Sequence, residues 1–406
     1  MKTKFLLLVT ISFFLFGCKA KEKDEIPQLT WLEVKSIPES FGGISKGVSA
    51  AFTGILDGNL IVAGGCNFPG VPAAEGGKKV YYRDILMLDG SEWKKIGELP
   101  EEVAYGVSVV TDDKLIFVGG QNVKPLKSVY VLSFENDTLR LDTLPSLPVG
   151  IDNASGTLHN NRIYVAGGNV DGNPSSDVWS FDLLNSKHWT KEMPLPVEGG
   201  LVQPVLVSQL HENSSGEKNL NGAKLKLSSS MQQLYLFGGF TPASGSRPAI
   251  VNQDVWEGYY GPKEGWVKSE KPFPSNVLHS SLSGGAGVAI QDSLILLLGG
   301  VNRQIFEDAL NRNYYLSTSK DTDTDTLTNR LRTEAAEYLL HPVEWYRFND
   351  EVWLYNVNRK EWKSIGNFPQ AALAGASVAS NGKEIYILNG EIKPGIRTPK
   401  IWKITF

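Results

Sequence analysis

Short apolar runs that stop at a pair of small residues recur along this chain: LIVAGG (60–65), LIFVGG (115–120), IYVAGG (163–168), LYLFGG (234–239) and LILLLGG (294–300). A sixth copy, IYILNG (385–390), has asparagine in place of the first glycine. Each run reads as a strand by its length and its turn-forming boundary. Upstream of most copies lies a strand of small residues, such as YGVSVV (105–110) or AGVAI (286–290), joined to the run by a polar turn like TDDK or QDS. Downstream come two further strands, the second often carrying tryptophan: DILML then SEWKKI, DVWSFD then KHWTKE, EVWLYN then KEWKSI. Each unit therefore predicts a four-stranded antiparallel meander, and the whole chain is all-β.

A meander exposes two sheet edges, and units of this kind stack radially into a β-propeller. The spacing and the glycine pairs resemble kelch repeats over the chain beyond residue 28, so a six-bladed propeller over residues 29–406 is expected. The sixth unit has only three strands before KIWKITF; the segment LTWLEVKSI near residue 30 supplies its fourth and closes the ring. Because strand direction alternates, all six loops that follow the glycine pairs emerge on one face. The Ser/Asn/Lys-rich stretch 211–230 precedes its glycine-pair strand and falls on the opposite face. The largest insertion, 301–349 in the fifth blade, lies on the glycine-pair face. In it Leu327, Leu331, Ala335 and Leu339 recur at helical spacing before Pro342, which predicts an amphipathic helix capping one mouth of the propeller, either as a lid over a small-molecule site or as an insertion packing on its own propeller.

Composition excludes several function classes. The net charge of −4 leaves no basic footprint for nucleic acid. Residues 1–17 carry Lys2 and Lys4, an apolar run from Phe5 to Phe16 too short to span a bilayer, and Gly17 before Cys18. This reads as a signal peptide ending in a lipobox-like Leu15–Cys18, with lipidation of Cys18 and a polar tether over 18–28. The expectation is an exported protein, periplasmic or an outer-membrane lipoprotein of a Gram-negative bacterium, touching the membrane only through that anchor. Cleavage leaves 38 basic against 44 acidic residues and one further cysteine, Cys66, so no disulfide forms within the chain. Cys66 is expected to fill a small buried apolar position.

Candidate chemistry lies on the glycine-pair face. Asn67, Asn122, Asn169 and Asn302 follow the glycine pairs directly or after one residue. Asparagine caps turns and tolerates left-handed backbone, and amides around a cavity also suit sugar hydroxyls; both readings stand. Arg83, Arg247 and Arg303 add guanidinium groups on the same face, able to share an anion. The histidines show no metal-ligand spacing, and in DTDTDTLTNRLR Thr326 and Arg332 occupy the positions where a calcium loop needs glycine and glutamate. No metal and no cofactor is expected.

GGCNFPG, GGVNRQIF with its helical insertion, and above all NGEIKPGIRT (389–398) resemble the bacterial N-acetylneuraminate mutarotases, kelch propellers that interconvert the anomers of sialic acid. The blade order differs as in a cyclic permutation, which a ring of equivalent blades tolerates. The resemblance implies a small acidic sugar as substrate and places the functional glutamate and arginine on Glu391 and Arg397. On that reading Glu391 takes the proton of the anomeric hydroxyl as general base, and Arg397 grips the sugar carboxylate bidentately and keeps Glu391 ionised. A surface ion pair across a turn is the plainer reading of the same two residues. A non-catalytic carbohydrate-binding propeller and a protein-interaction platform are the other function classes, and neither requires acceleration of anomer exchange.

Overall fold

The computed structural model describes residues 28–136, 138–220, 223–259, 265–274, 280–291, 293–320 and 325–406. The expected signal peptide, Cys18 and almost all of the tether lie outside them. The chain is all-β with a few helices, and its strands form six principal antiparallel sheets. The first contains Phe52–Leu56, Asn59–Ala63, Asp84–Asp89 and Glu92–Glu98; the second Val107–Val110, Leu115–Val118, Val129–Glu135 and Thr138–Thr143. The third contains Ser155–His159, Arg162–Ala166, Val178–Asp182 and Thr190–Lys191. The fourth holds Val202–Leu220, Ala223–Thr241, Val255–Tyr259 and Gly265–Lys268, and the fifth Ala286–Ile290, Leu294–Leu298, Glu351–Asn356 and Glu361–Asn367. In the sixth, Ser377–Ser380, Glu384–Leu388 and Ile401–Thr405 are completed by Thr30–Val34, which pairs antiparallel with Ile401–Thr405 in the register Trp31 to Ile404.

The apolar runs are buried on both faces because alternate residues serve different neighbours. Leu115 and Phe117 pack with Phe52 and Ile61 of the first sheet, while Ile116 and Val118 pack with Ile163 and Val165 of the third. The same division continues through the later sheets, and Leu388 and Ile401 of the sixth share a core with Val62 and Leu86 of the first. A period of two, applied to a strand with no solvent face, yields the continuous hydrophobic runs seen in the sequence.

Both residues of each glycine pair have positive φ, and the pair ties one sheet to the next. The N–H of Gly120 donates to the carbonyl of Ile151 at 2.8 Å, and that of Gly168 to Leu201 at 2.8 Å. A Cβ on Gly119 would stand 2.5 Å from the Ile151 oxygen, so glycine is required there. The sixth copy tolerates asparagine: Asn389 has φ 53° and is 1% exposed.

At the same end, a left-handed backbone recurs where the first strand of each sheet begins: two positions before it at Ala50, Tyr105, Asn153, Gly284 and Gly375, and at Gln203, the second residue of Val202–Leu220. Their peptide groups form a cycle of hydrogen bonds. Tyr105 N–H donates to Ala50 C=O, Asn153 to Tyr105, Gln203 to Asn153, Gly284 to Gln203, Gly375 to Gly284, and Ala50 to Gly375, at 2.8–3.3 Å. This collar was not visible in the sequence.

Among the described residues, the insertion between the second and third strands of the fifth sheet contains three helices: α1 (Arg303–Thr318), α2 (Thr326–Glu337) and α3 (Val343–Tyr346). The expected helix is α2, capped by Asp325, whose side chain accepts from the N–H of Thr328 at 3.0 Å. Its expected apolar stripe needs correction: Leu327 is exposed and the buried residue is Thr328. The longer α1 was not anticipated; Asn302 caps it, accepting from the N–H of Ile305 at 3.1 Å. Of the polar stretch 211–230, residues 211–220 and 223–230 belong to the paired strands Val202–Leu220 and Ala223–Thr241.

Candidate functional site

NGEIKPGIRT forms a small hairpin in which Glu391–Lys393 pairs with Ile396–Arg397, Glu391 lying opposite Arg397. Pro394 and Gly395, the latter at φ 83°, make the turn. Reciprocal backbone bonds between Glu391 and Ala374, at 2.8 and 3.0 Å, fix the hairpin against the chain entering the sixth sheet. Ala374 immediately precedes Gly375 of the collar, so the carboxylate is held at the collar rim.

The pair is not a surface ion pair. Arg397 Nη2 lies 2.6 Å from Glu391 Oε1, with side-chain exposures of 2% and 24%. Arg397 Nε and Nη2 also donate to Ser49 Oγ at 3.1 Å, and the guanidinium packs over the Phe68 ring. Nε and Nη2 of Arg397 are thus engaged, while its Nη1 is buried without a hydrogen-bond partner among the described residues. The inward face of the guanidinium is committed to Glu391 and Ser49, which makes Arg397 a buried support for the carboxylate. Arg397 acts on the ionisation of Glu391 in the expected direction, favouring the charged carboxylate. Burial pushes the Glu391 carboxyl above the ordinary carboxylate value, and Arg397, Lys79 and the Gly395 N–H pull it back only in part.

Glu391 lines a cavity of about 270 Å³. Its floor includes the collar residues Tyr105, Gln203 and Gly375 together with Ser49 and Ala374. Its roof comes from the insertion, with Ile305, Phe306, Ala309 and Leu310 on α1, and Tyr338, Tyr346 and Phe348 farther along. An apolar enclosure with a few convergent polar groups is the usual form of a small-molecule site. Lys393 ties roof to hairpin: its Nζ donates to the carbonyls of Leu339 at 3.2 Å and His341 at 2.7 Å. A second space of about 260 Å³ runs along the first strands, and among the described residues no carboxylate or cation lines it.

The other sequence-predicted residues divide. Asn302 lines the cavity but spends its side-chain oxygen on capping α1. Asn67 is buried with its amide donating to the carbonyls of Gly43 and Gly47 at 2.8 and 2.7 Å and accepting from Tyr82 Oη at 2.8 Å. Asn122 donates to Glu102 C=O and accepts from the N–H of Val123, closing its own turn. Asn169 donates to Asp152 Oδ1 at 2.7 Å. For these three the turn-capping reading describes the side-chain bonds, and none lines the cavity. Nor do the three arginines: Arg83 pairs with Glu98 at 2.5 Å on the surface, Arg247 donates to the carbonyls of Glu198 and Pro242, and Arg303 opens α1.

Sequence reasoning missed Ser49, Lys79 and Tyr105. Cys66, expected as an inert buried residue, is fully buried but polar in its contacts, with its thiol donating to Tyr105 Oη at 3.3 Å and 3.7 Å from Ser49 Oγ. Lys79 Nζ donates to the same phenol oxygen at 3.0 Å. Lys79 stands in the long loop between GGCNFP and Arg83, where two adjacent lysines were a visible signal; the left-handed placement of Tyr105 had none.

A sequence model described as N-acetylneuraminate epimerase matches residues 19–141 and 218–406, and a kelch motif model matches residues 152–196, within the intervening stretch. The N-acetylneuraminate epimerase of Salmonella arizonae is 29% identical over 262 residues, which cover 64% of this chain and 58% of the relative. That of Brucella melitensis is 28% identical over 258 residues, covering 63% and 57%. The chain thus spans less than two thirds of the length of the curated relatives it matches. A solved chain titled "Structure of YjhT" superposes with a TM-score of 0.49 at 24% identity, covering 65% of this chain and 64% of that one. With the family model matched over most of its length, this all-β chain with its kelch motif belongs to the N-acetylneuraminate epimerase family.

Proposed function

We propose that the six sheets are the blades of one closed propeller and that the chain is a mutarotase interconverting the α and β anomers of N-acetylneuraminate. The cycle of backbone bonds through the collar and the pairing of Thr30–Val34 with the last blade support the closed ring. The observation that carries the function is a carboxylate, backed by a buried guanidinium, on the wall of a partly open, mainly apolar cavity beside the collar.

The chemistry follows from the pair. Ring opening removes the proton from the anomeric hydroxyl as the bond from the anomeric carbon to the ring oxygen breaks. The anomeric carbon becomes a carbonyl, and reclosure on its other face gives the second anomer. Glu391 is the base, and burial makes it a stronger one than an exposed carboxylate. A positioned base of this kind contributes about 10²–10⁴-fold. Arg397 holds the carboxylate in place and stabilises its charged form. The insertion acts as a lid that limits water at the anomeric centre, with Lys393 as its tie to the hairpin. An exported location with a lipid anchor at Cys18 completes this reading.

Anomer exchange of N-acetylneuraminate followed by NMR tests it. Wild-type protein should accelerate exchange over buffer, and Glu391→Gln should lose about 10²-fold or more of that acceleration while still binding the sugar. Saturable binding with no acceleration by the wild type would leave a carbohydrate-binding propeller and end the enzyme reading.

A further inference from the structure

Opening the sugar ring needs a second proton movement: as the bond from the anomeric carbon breaks, the ring oxygen must gain a proton. Glu391 cannot both accept from the anomeric hydroxyl and donate to the ring oxygen in the same step. Among the described residues lining the cavity, the hydroxyls are those of Ser49, Tyr105, Tyr338 and Tyr346. Tyr346 donates its proton to the carbonyl of Tyr338. Ser49 accepts from Arg397 and faces the Cys66 carbonyl at 3.5 Å. Tyr338 has the Arg312 guanidinium over its ring face, at 5.0 Å from the centroid, and stands on the insertion just beyond α2.

Tyr105 differs in three ways. Its backbone is a member of the collar, held by its own N–H to Ala50 and by its carbonyl accepting from Asn153, so its position does not depend on the insertion. Its phenol oxygen accepts from two donors, Lys79 Nζ at 3.0 Å and Cys66 Sγ at 3.3 Å. Both contacts use acceptor capacity, so the phenolic hydrogen is left for an acceptor in the cavity. An ammonium in contact with the oxygen also stabilises the negative charge that appears when that hydrogen leaves.

We infer that Tyr105, backed by Lys79, is the general acid that protonates the ring oxygen while Glu391 deprotonates the anomeric hydroxyl. This rests on the mutarotase reading and names the second catalytic residue of the same site. The balance is complete. On opening, the anomeric O–H bond breaks toward Glu391, the carbon-to-ring-oxygen bond breaks, and the phenolic O–H bond breaks toward the former ring oxygen. The products are the open keto acid, a protonated Glu391 and a Tyr105 phenolate against the Lys79 ammonium. After rotation about the neighbouring carbon–carbon bond, the phenolate takes the proton back from the sugar hydroxyl. The carbon–oxygen bond then re-forms on the other carbonyl face, and Glu391 returns its proton to the anomeric oxygen. No oxidant or other co-reactant enters. Burial holds the Tyr105 hydroxyl well above the ordinary tyrosine range, so it stays protonated until the transfer. An alkoxide leaving group is basic enough to take that proton.

The experiment uses the full chain and N-acetylneuraminate, reading anomer exchange by NMR and affinity by calorimetry for wild type, Tyr105→Phe and Lys79→Met. The expected result is an exchange rate at saturating sugar lowered about 10²-fold in Tyr105→Phe, with affinity changed less than about threefold. Lys79 is exposed and its substitution does not threaten the fold, so Lys79→Met is the second arm. It should also lower the rate at unchanged affinity, by a smaller factor. Wild-type rates in Tyr105→Phe would overturn the inference while leaving Glu391 in place. An affinity loss at unchanged saturated rate in either variant would also overturn it, making that group a sugar-binding contact. Absence of acceleration by the wild type would remove the mutarotase reading itself, and this inference with it.

Discussion

Glu391 is subject to opposing influences whose balance decides its chemistry. Burial raises the carboxyl above its ordinary range, and Arg397 at 2.6 Å is the main force against that rise. A base must be deprotonated to act, so the rate should increase with pH through the Glu391 titration, with the acid limb above the usual carboxylate region. Replacing Arg397 by Met removes the opposing charge. The limb should then move toward higher pH in a pH profile of kcat/KM for anomer exchange. Loss of one partner of a buried pair should also lower unfolding stability by about 3 kcal/mol in urea titration. An unchanged limb would mean that another group titrates. At this scale the sequence was legible for the pair and little else. The turn motif exposes Glu391 and Arg397 because they are six positions apart across a Pro-Gly turn. Ser49, Lys79 and Tyr105 arrive from three other stretches, and only folding brings them together.

At the scale of elements, the insertion and the hairpin form a working unit. Lys393 donates to the carbonyls of Leu339 and His341, where the chain leaves α2 and approaches α3. Nearby, His341 stacks on Trp345 at 3.9 Å, and Trp345 packs edge-on to Tyr346. Lys393→Met should release these carbonyls without disturbing the sheets. Hydrogen exchange measured by mass spectrometry should quicken in peptides spanning 326–346 and stay unchanged in the glycine-pair strands. Sugar affinity should fall about tenfold, the equivalent of one charge-assisted hydrogen bond. The helical pattern of α2 was readable because its apolar spacing and Pro342 are local signals. That of α1 was not, since RQIFEDALNRNYYLST mixes aromatic and polar residues on several faces and buries only Ala309. Its apolar cavity-lining residues Ile305, Phe306, Ala309 and Leu310 nevertheless share one face at i, i+4 spacing.

For the whole molecule, the repeat made the architecture legible. Six copies of one strand, each ending where a left-handed pair is required, raise the expectation of a radial array before any contact is known. The distribution of partners between faces was harder to see, because both faces of each strand are apolar and periodicity cannot say which neighbour a residue meets. The strand Thr30–Val34 tests the assembly directly. It covers the edge of Ile401–Thr405, and Trp31 packs against Phe368 at 5.3 Å and Trp402 at 6.4 Å. A chain beginning at residue 36 should expose that edge, melt at lower temperature by several degrees and associate in light scattering. Retention of the full melting temperature would mean that the strand contributes nothing to the joint between the sixth sheet and the first.

The collar has a consequence for how such a site diversifies. Its six links use only peptide groups, so the frame asks each position to accept a left-handed backbone and leaves the side chain unspecified. Alanine and two glycines take three positions; tyrosine, asparagine and glutamine take the others. A nearly symmetrical scaffold thereby acquires a lopsided floor, smooth on one side and bearing functional groups on the other. Exchanging those three side chains offers a route to a new ligand preference that leaves every bond of the frame in place.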